Sequence, residues 1–352
     1  MNLSIIIPTA GRPVAIRAAI RSLLEIPPEQ KASEILVVDN NTDEEFAADL
    51  RKYCALLDGE VRYVRQPSPG LTAARHRGIS ESRGEILIFV DDDVEVSGGW
   101  LEAIRTGFLN PDVGMIGGPS IPRFTGSVPN WFWSFLSRSP YGGWMCPWLS
   151  LLDIGRDVKR IDPSYIWGLN FSIRRSVVER CGGFHPDLVP THLQRWQGDG
   201  ETGLTKKVEA ASVRADYLQS ALLFHRCGPE RLNQDYFKRR AYYQGVAESF
   251  SHVRSGRDPR RDSLPPELHL PHRRLAAAAR AMVQRLSGST SWRSAEVSGM
   301  LKATGAARIA GWQFHQAEVA SDPRLLAWVR RPDFTEADIR TELPQATSQT
   351  SG

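Results

Sequence analysis

Three adjacent carboxylates, Asp91, Asp92 and Asp93, directly follow the apolar run at residues 86–90. The run has the length of a buried strand, and unpaired buried charge is very costly. The acids should therefore lie just past the carboxyl end of that strand, where open α/β sheets bind their ligands. Rigidly held carboxylate oxygens suit Mg²⁺ or Mn²⁺, particularly when substrate phosphates complete the coordination shell. The alternative interpretation is a solvated acidic turn that precedes the next helix.

Polar residues also follow the first two predicted strands. Pro8, Thr9 and Arg12 come after the first strand, and Asp39 ends the second. Asp39 could accept a hydrogen bond from the imide N–H of a nucleobase, with the Thr9 hydroxyl in the same pocket and Arg12 near base or phosphate. Alternatively, Asp39 caps the helix that follows it.

A helix predicted to start near Leu71 supplies a further element of this edge. Gly70 precedes it, so its backbone N–H groups should face the sheet edge, a position that favours anions. Arg75 lies one turn into the helix. It could contact a bound ligand, or its aliphatic stem could lie over the sheet with the charge in water.

The elements that must position these residues alternate along the first half of the chain. Short apolar runs predict strands at 3–7, 34–39, 61–65, 85–90 and 113–116, and apolar periodicity predicts helices at 13–25, 43–57, 71–83 and 99–109. This rhythm predicts βαβ units in a doubly wound, mainly parallel sheet, a Rossmann-like α/β fold with helices on both faces. Right-handed crossovers then bring the carboxyl ends of the strands to one edge.

The second half of the chain has a different pattern. Residues 118–165 are rich in Pro, Gly and Trp, and their tryptophans could form a platform for a sugar or a hydrophobic plug against the sheet. Beyond them we predict a strand from Tyr165 to Ile173, a helix from Arg175, a helix at 200–209, strands within 213–225 and a helical region from 232. A Pro-rich break at 259–272 follows. After it come helices at 274–286 and at 293–312 and a disordered tail from Thr341.

Composition limits the function classes. The chain has 352 residues, 41% of them hydrophobic and 24% charged, which is typical of a globular protein. A net charge of +4 indicates no general preference for nucleic acid, and no apolar window is long enough to span a membrane. Four scattered cysteines and a strand-like N-terminus predict a cytoplasmic protein. Residues 226–261 are locally basic, which suits a diphosphate, anionic lipid or an acidic partner, or is simply a solvated helix face.

Several motifs, taken in order, resemble the family 2 glycosyltransferases of the GT-A fold. The resemblance covers roughly residues 1–245 and depends on Pro8-Thr9-x-x-Arg12, Val37-Val38-Asp39-Asn40, Pro69-Gly70-x-x-x-Ala74-Arg75-x-x-Gly78, Asp91-Asp92-Asp93, Gly168-Leu169-Asn170-Phe171, Gly182-Gly183-Phe184 and Gly198-Asp199-Gly200-Glu201. It implies an inverting enzyme that uses a nucleotide-diphosphate sugar, with Mn²⁺ or Mg²⁺ as cofactor.

The same resemblance implies residue roles. Asp91 would lie near the ribose, with Asp92 contributing to the same site, and Arg75 and Asn170 would be among the residues that bind substrate. Asp93 would ligate the metal and His225 would complete its shell, although a histidine after a strand is more often structural.

The base that deprotonates the acceptor hydroxyl would be Asp199 or Glu201. The family often has Glu-Asp at this place, whereas this chain has Gly198-Asp199 followed by Gly200-Glu201. Aligning on Gly203-Leu204 favours Asp199, with Glu201 as second choice. Asp199 could instead be an N-cap.

We therefore expect a nucleotide-sugar-binding half at 1–117, an acceptor-binding and catalytic half at 118–228, a helical C-terminal extension at 229–340 and a disordered tail at 341–352.

The predicted acceptor is a glycan or lipid-linked glycan, in the synthesis of a cell-surface polysaccharide, an exopolysaccharide or a glycolipid. Peripheral contact with the inner face of the membrane is a hypothesis, and no oligomeric state is predicted. The alternatives are a nucleotidyltransferase and a non-catalytic GT-A scaffold that binds sugar or nucleotide.

Overall fold

A computed structural model describes residues 1–68, 70–261, 292–331 and 333–334 as an α/β architecture with a helical C-terminal part. The strands are β1 (Leu3–Thr9), β2 (Glu34–Asp39), β3 (Arg62–Arg65), β4 (Ile86–Val90), β5 (Val94–Val96), β6 (Val113–Gly117), β7 (Ser120–Phe124), β8 (Ser137–Arg138), β9 (Trp144–Cys146), β10 (Leu151–Asp153), β11 (Val158–Lys159), β12 (Asn170–Arg174), β13 (Arg214–Tyr217) and β14 (Leu223–Cys227). The α-helices are α1 (Pro13–Leu24), α2 (Glu44–Ala55), α3 (Leu71–Glu81), α4 (Trp100–Gly107), α5 (Arg175–Cys181), α6 (Glu201–Ala210), α7 (Gln234–Arg254), α8 (Trp292–Ser321) and α9 (Pro323–Val329).

The main sheet has the strand order β11-β13-β6-β12-β4-β1-β2-β3. Strands β4, β1, β2 and β3 are parallel, whereas β12 runs antiparallel between β4 and β6. The inner strands β1 and β4 are buried on both faces, as their continuous apolar runs predict. The predicted α/β fold with a mainly parallel sheet and a helical C-terminal part is therefore confirmed.

Helices cover both faces of this sheet. Helices α1, α2 and α4 pack on one face through residues such as Ile20, Leu50 and Trp100. Helices α3, α5 and α6 pack on the other face through residues such as Ala74 and Leu204. The two apolar layers fix the strands, so that the carboxyl ends of β1, β2 and β4 lie together at one edge.

A second sheet, which the sequence analysis did not predict, has the order β5-β14-β7-β10-β9-β8. Within it, β14 pairs antiparallel with β5, so that His225 lies opposite Val94. The backbone N–H of Arg226 also donates to the Asp93 carbonyl oxygen, at 2.9 Å. This pairing brings a residue near the end of the α/β region beside the acidic triplet.

The aromatic segment is mostly a hydrophobic plug. Trp131, Phe132 and Phe135 are buried against α7, with the rings of Trp131 and Phe237 4.8 Å apart. Trp133 is the exception, with 53% of its surface exposed. Burial of the apolar rings rather than exposure to solvent is what stabilises this region.

Some predictions fall wholly or partly outside the described residues: Pro69 of the Pro69-Gly70 motif, most of the Pro-rich break at 259–272, the helix at 274–286, part of the extension at 229–340 and the tail from Thr341. The helix predicted at 293–312 is confirmed and extends further, as α8, and the strand predicted from Tyr165 begins only at Asn170. Among the residues the structure does describe, helices are too short or too polar to cross a lipid bilayer.

Helices α7 and α8 are in backbone contact. A Cβ atom added to Gly245 would overlap the carbonyl oxygen of Arg308, and one added to Gly311 would overlap the carbonyl oxygen of Tyr242. Only glycine at both positions lets the two helices approach so closely. The contact matters for function because α7 forms one wall of the cavity described below.

We expect Gly311→Ala to lower the free energy of unfolding by about 1–3 kcal/mol, since the added methyl group must push the helices apart. Chemical denaturation followed by circular dichroism measures the change. Gly305→Ala is the matched control on the same helix, because nothing lies within 4 Å of a Cβ there. That control should be neutral or should stabilise by about 0.5–1 kcal/mol through helix propensity. Equal effects of both substitutions would contradict the close contact.

His315 on α8 should make the protein sensitive to acid. It is fully buried against Ser249 of α7, and burial lowers its pKa from the ordinary 6.5 to about 4. Between these values the unfolded chain binds a proton that the folded chain does not, so stability present at neutral pH is lost as the pH falls.

Melting temperatures across this pH range should therefore decline, and His315→Asn should flatten that part of the profile. The exposed His192, changed to Asn, is the control that should leave the profile as it is. A profile unaffected by His315→Asn would exclude this histidine as the source.

Candidate active site

A cavity of about 430 Å³ opens at the carboxyl edge of the main sheet. Its volume lies within the range of about 300–1,000 Å³ that is usual for ligand sites. One wall consists of residues at the ends of strands, including Asp91 of the acidic triplet, and the other consists of α7 and the loop before it. The predicted residues that line it are Pro8, Thr9, Arg12, Asp91 and His225.

Asp92 supports this wall from behind. It is fully buried, accepts a hydrogen bond from the Thr9 hydroxyl at 2.6 Å and forms an ion pair with Arg12. Burial, only partly offset by Arg12, raises the pKa of Asp92 above its ordinary value. Asp92 thus positions Thr9 and Arg12 and does not itself line the cavity.

Asp93 lies beside His225, which lines the cavity. Asp93 Oδ2 is held by Arg12 and Arg231, while Oδ1 is buried and has no hydrogen bond. His225 Nε2 lies 3.5 Å from Oδ1 and likewise has no hydrogen-bond partner. Burial acts to raise the pKa of Asp93, but interactions with His225, Arg231 and Arg12 outweigh it and hold that pKa well below its ordinary range.

The orientation of His225 is fixed from its other side. Nδ1 is 2.8 Å from the Leu149 carbonyl oxygen, which can only accept, so Nδ1 carries the proton. In the neutral ring Nε2 then has a free lone pair directed at Asp93. Two facing acceptors fit a bound cation, and a backbone carbonyl behind the ring is a usual support for a metal-binding histidine. Within the described ranges no three His, Cys, Asp or Glu side chains converge on a possible metal position, so Asp93 and His225 would form a two-residue site.

Arg75 joins two carboxylates at the cavity floor. Its Nη1 lies 2.9 Å from Glu201 and its Nη2 lies 3.4 Å from Asp91. Arg75 itself is only 1% exposed, whereas the side chains of Asp91 and Glu201 are each 29% exposed. The predicted direct contact of Arg75 with a ligand is therefore not what the structure has: Arg75 holds Glu201 beside Asp91.

Glu201 remains ionised at neutral pH. Burial acts to raise its pKa, but the Arg75 guanidinium and the Gly168 N–H outweigh burial and lower it. The neighbouring Asp187 behaves differently, because burial and the charge of Glu201 raise the pKa of Asp187 to about 6. Two neighbouring carboxylates with separated pKa values are typical of sites that move protons.

Asp199 is turned away from the cavity. Its side chain is 2% exposed, and its oxygens bind His185 Nδ1 at 2.5 Å and the Ser251 hydroxyl. Gly200, at φ 55°, reverses the chain so that Asp199 and Glu201 point in different directions. The expectation that Asp199 lies at the acceptor side of the site is corrected, because it ties α6 to α7 in the interior. The alternative that it caps α6 is wrong as well, since Gly200 is the cap residue and no side chain caps that helix.

Asp39 also lies behind the wall. It has no exposed surface, and its carboxylate accepts hydrogen bonds from the Asn41 N–H at 2.9 Å and the Tyr63 hydroxyl at 2.7 Å. The structure thus does not bring Asp39 to the cavity, where the next residue, Asn40, is found instead. The capping alternative is wrong too, because Asp43 caps α2.

Asn170 and Gly70 have structural roles. The Asn170 amide is buried, accepts from the Trp100 indole N–H at 3.0 Å and donates to the carbonyl oxygens of Pro119 and Ala221. This satisfied network corrects the prediction that Asn170 binds substrate. Gly70 has a φ of 114°, which lets the chain turn into α3 directly beside the cavity.

The wall formed by α7 contributes four residues that the sequence analysis either did not predict or predicted only as part of a basic stretch that suits a diphosphate. They are Tyr236, Arg239, Arg240 and Tyr243, at positions i, i+3, i+4 and i+7 of the helix. That spacing places them on one helix face, and it was the signal that could have found them. With Arg231, they add positive charge and aromatic surface opposite the acidic triplet.

The sequence profile described as Glycosyl transferase family 2 matches residues 4–182. Among curated proteins, the chain is 24% identical over 231 residues to the glycosyltransferase AglE of Haloferax volcanii, which covers 64% of this chain and 67% of that protein. It is 26% identical over 104 residues to the succinoglycan biosynthesis protein ExoM of Rhizobium meliloti, covering 30% of this chain and 34% of that protein.

A mouse relative, polypeptide N-acetylgalactosaminyltransferase 5, is 37% identical over 92 residues. The match covers 26% of this chain and only 10% of the mouse protein. The chain thus spans about a tenth of the mouse relative and about a third of ExoM.

Solved structures resemble the whole fold. The mannosyltransferase PcManGT of Pyrobaculum calidifontis, solved with GDP-Man and Mn²⁺, superposes with a TM-score of 0.51 at 19% identity, over 94% of this chain and 86% of that one. GalNAc-T7, solved with UDP, GalNAc and Mn²⁺, gives a TM-score of 0.50 at 16% identity, over 73% of this chain and 50% of that one. These likenesses concern the fold, and they agree with the predicted GT-A type.

Proposed function

The chain belongs to glycosyl transferase family 2, and from that premise we propose that it transfers a sugar, with inversion, from a nucleotide-diphosphate sugar to an acceptor hydroxyl. The observation that carries the proposal is that Asp91 and His225 line one cavity, with Asp93 paired to His225 and Glu201 joined to Asp91 through Arg75. The fold alone would not suffice, because one fold hosts many functions.

A divalent cation is part of the proposal. Asp93 Oδ1 and His225 Nε2 are buried acceptors without hydrogen-bond partners, and they are the residues that would hold Mn²⁺ or Mg²⁺. Such ions take one or two protein ligands when substrate phosphates supply others. When bound, the cation would neutralise charge on the departing nucleoside diphosphate. Two relatives in fold were solved with Mn²⁺, which supports the choice of metal.

The chain's own cations would bind the diphosphate. Arg12, Arg231, Arg239 and Arg240 all line the cavity, and guanidinium groups match phosphate oxygens in a bidentate geometry. Arg12 and Arg231 both pair with Asp93, so their guanidinium groups already lie beside the proposed cation site, where the leaving group would bind.

Glu201 is the proposed base, in place of Asp199. As the acceptor oxygen forms its bond to the anomeric carbon, its proton passes to the Glu201 carboxylate, and the bond from that carbon to the diphosphate oxygen breaks with its electron pair. A single displacement of this kind inverts the anomeric centre. Glu201 is ionised, partly exposed and held by Arg75, which suits a base that must be oriented.

The acceptor is proposed to be a glycan or a lipid-linked glycan in polysaccharide or glycolipid synthesis. The name of the Rhizobium relative, a succinoglycan biosynthesis protein, supports a polysaccharide. Contact with the inner face of the membrane stays a prediction of the sequence. Binding to liposomes with anionic lipid at low salt tests it, and absence of binding would exclude it.

A non-catalytic scaffold is worth considering because the Gly198-Asp199 pair lacks the Glu that is usual in the family. Since Asp199 is an interior residue and Glu201 supplies a carboxylate beside the cavity, this departure does not argue against an enzyme. A nucleotidyltransferase would need a glycine-rich basic loop after the first strand, and the three residues Ala10-Gly11-Arg12 are too few.

One experiment tests the proposal. Melting temperatures are recorded with UDP-, GDP- and dTDP-sugars in the presence of Mn²⁺ or Mg²⁺, and release of nucleoside diphosphate is then measured with any donor that stabilises the protein. We expect one donor class to raise the melting temperature and to be hydrolysed slowly, with both effects lost in EDTA. Stabilisation without any hydrolysis would favour the scaffold, and no stabilisation by any donor would overturn the proposal.

A further inference from the structure

A second cavity, of about 340 Å³, lies next to the first. It is lined by Pro147, Trp148, Arg240, Gln244, Glu248 and Arg308. Arg240 lines both cavities, so the two are neighbours along α7. The second cavity is not accounted for by the donor or by the residues of the acidic triplet.

One wall of the second cavity is aromatic. Trp148 is half-buried and stacks on Phe237, with ring centroids 6.2 Å apart and planes inclined by 22°. It belongs to a short 3₁₀ turn, Pro147–Leu149, whose last carbonyl accepts from His225 Nδ1. The next residue, Ser150, lines the first cavity. The same turn therefore borders both cavities.

The rest of the lining comes from α7 and from Arg308 of α8, and it is polar and joined by hydrogen bonds. Arg240, Gln244 and Glu248 follow one another at intervals of four residues on α7, which places them in one row. Gln244 Nε2 donates to Glu248 Oε1 at 2.9 Å, and Arg308 Nε donates to Glu248 Oε2 at 2.7 Å. An amide, a carboxylate and two guanidinium groups thus present planar donors and acceptors to the space beside the Trp148 ring.

This combination has a definite ligand chemistry. A sugar ring has a face of C–H groups that packs on an aromatic ring and an edge of hydroxyls that donate and accept hydrogen bonds. Apolar stacking on one side with convergent polar groups on the other is how small-molecule sites gain both affinity and orientation.

We propose that the second cavity binds a sugar residue of the acceptor glycan, with its ring against Trp148 and its hydroxyls on the row formed by Arg240, Gln244 and Glu248. The inference rests on the proposed function and deepens it by naming a carbohydrate acceptor and the place where it binds. Its position fits that role, because Arg240 lines both cavities and the turn of Trp148 continues into Ser150 at the first one. An acceptor held there would lie next to the cavity proposed to bind the donor.

An array of immobilised neutral and acidic oligosaccharides, probed with labelled full-length protein in the presence of Mn²⁺ and nucleoside diphosphate, tests the proposal. We expect wild-type protein to bind at least one glycan, and Trp148→Ala and Gln244→Ala each to weaken that binding by about tenfold. Trp133→Ala is the matched control, since this exposed tryptophan of the same segment lines neither cavity. Gln244→Ala keeps the test valid if loss of the Trp148 stacking disturbs folding.

The outcomes separate two kinds of failure. If the wild-type protein hydrolyses a nucleotide sugar but binds no glycan, or binds one equally well after Trp148→Ala and Gln244→Ala, the second cavity is not the acceptor site. If no nucleotide sugar binds or is hydrolysed, the proposed function itself fails, and that is measured independently of the array. Loss of glycan binding in Trp133→Ala to the same extent would also overturn the assignment.

Discussion

Changing Glu201 to Gln should lower the rate of nucleoside diphosphate release by about 10²–10⁴-fold, because a positioned general base contributes that much to proton transfer. The amide keeps the size of the side chain and can still hydrogen bond to Gly168, but it cannot accept the acceptor's proton. Donor binding should persist, since Glu201 contacts the protein only through Arg75 and Gly168 among the bonds described for it. The rate is measured as nucleotide release, and binding as the donor-induced shift in melting temperature.

Asp199→Asn is the control that separates the two candidate carboxylates. Asp199 binds His185 and Ser251 in the interior, so its substitution should lower the melting temperature strongly, since one partner of a buried pair is left uncompensated. Nucleotide release, measured at a temperature at which this variant is folded, should stay near that of the wild type. A fully active Glu201→Gln, or an inactive but stable Asp199→Asn, would return the role of base to Asp199.

Changing Asp93 to Asn should remove the effect of Mn²⁺ on nucleotide binding. The proposed cation site consists of Asp93 Oδ1 and His225 Nε2, and the substitution takes away its only anionic ligand. We expect the affinity for UDP or GDP in the presence of Mn²⁺ to fall by about a hundredfold or more, given that such an ion contributes several kcal/mol at a diphosphate. Titration calorimetry with and without Mn²⁺ measures this directly and needs no acceptor.

Glu95→Gln is a suitable control for that experiment, two residues further along the chain. Glu95 pairs with Arg123 and Arg226 near the surface and faces away from the cavity, and surface pairs of this type contribute little. Its substitution should leave the Mn²⁺ effect unchanged. If Asp93→Asn retained a Mn²⁺-stimulated affinity, a cation held by Asp93 would be excluded.

The sequence predicted the part of the fold that depends on local pattern. Runs such as residues 86–90 are apolar throughout because β4 is buried on both faces, and Pro13 occupies the first turn of α1 as its fixed φ favours. The helices α1 to α6 and the strands of the main sheet other than the two-residue β11 follow from such signals. The division of the chain into halves and an extension stays a prediction.

The second sheet could not be predicted in this way, because its strands are short and pair across long sequence distances. Strand β5 has three residues, and its partner β14 lies about 130 positions later, so no local periodicity marks either as a pair. His225 was found only through a resemblance, and the reason that it lies at Asp93 is this pairing.

The sequence indicated which residues at the ends of strands lie near the cavity. It did not indicate how Asp199 and Glu201 are oriented on the two sides of Gly200. Thr9 and Asp91 line the cavity because Thr9 ends β1 and Asp91 directly follows β4, and Asp93 lies beside His225. Asp199 and Glu201 are two residues apart, and with Gly200 at a φ of 55° between them their side chains contact different partners, which spacing alone does not reveal. The polar side chains of Asn170 and Asp39 form hydrogen bonds inside the protein, and their partners are distant in sequence, so these bonds are known only from the folded structure.

The backbone contact between α7 and α8 has a consequence for how the chain can be divided. The family profile ends at residue 182, yet His225, Arg231 and the cavity face of α7 all come later. Helix α7 is held at its close crossing by α8, through Gly245 and Gly311. A shortened chain cut at the family boundary would retain the acidic triplet but lose the opposite wall, and one cut after α7 would leave that wall without its support. The functional unit is therefore indivisible at the boundaries that sequence similarity suggests.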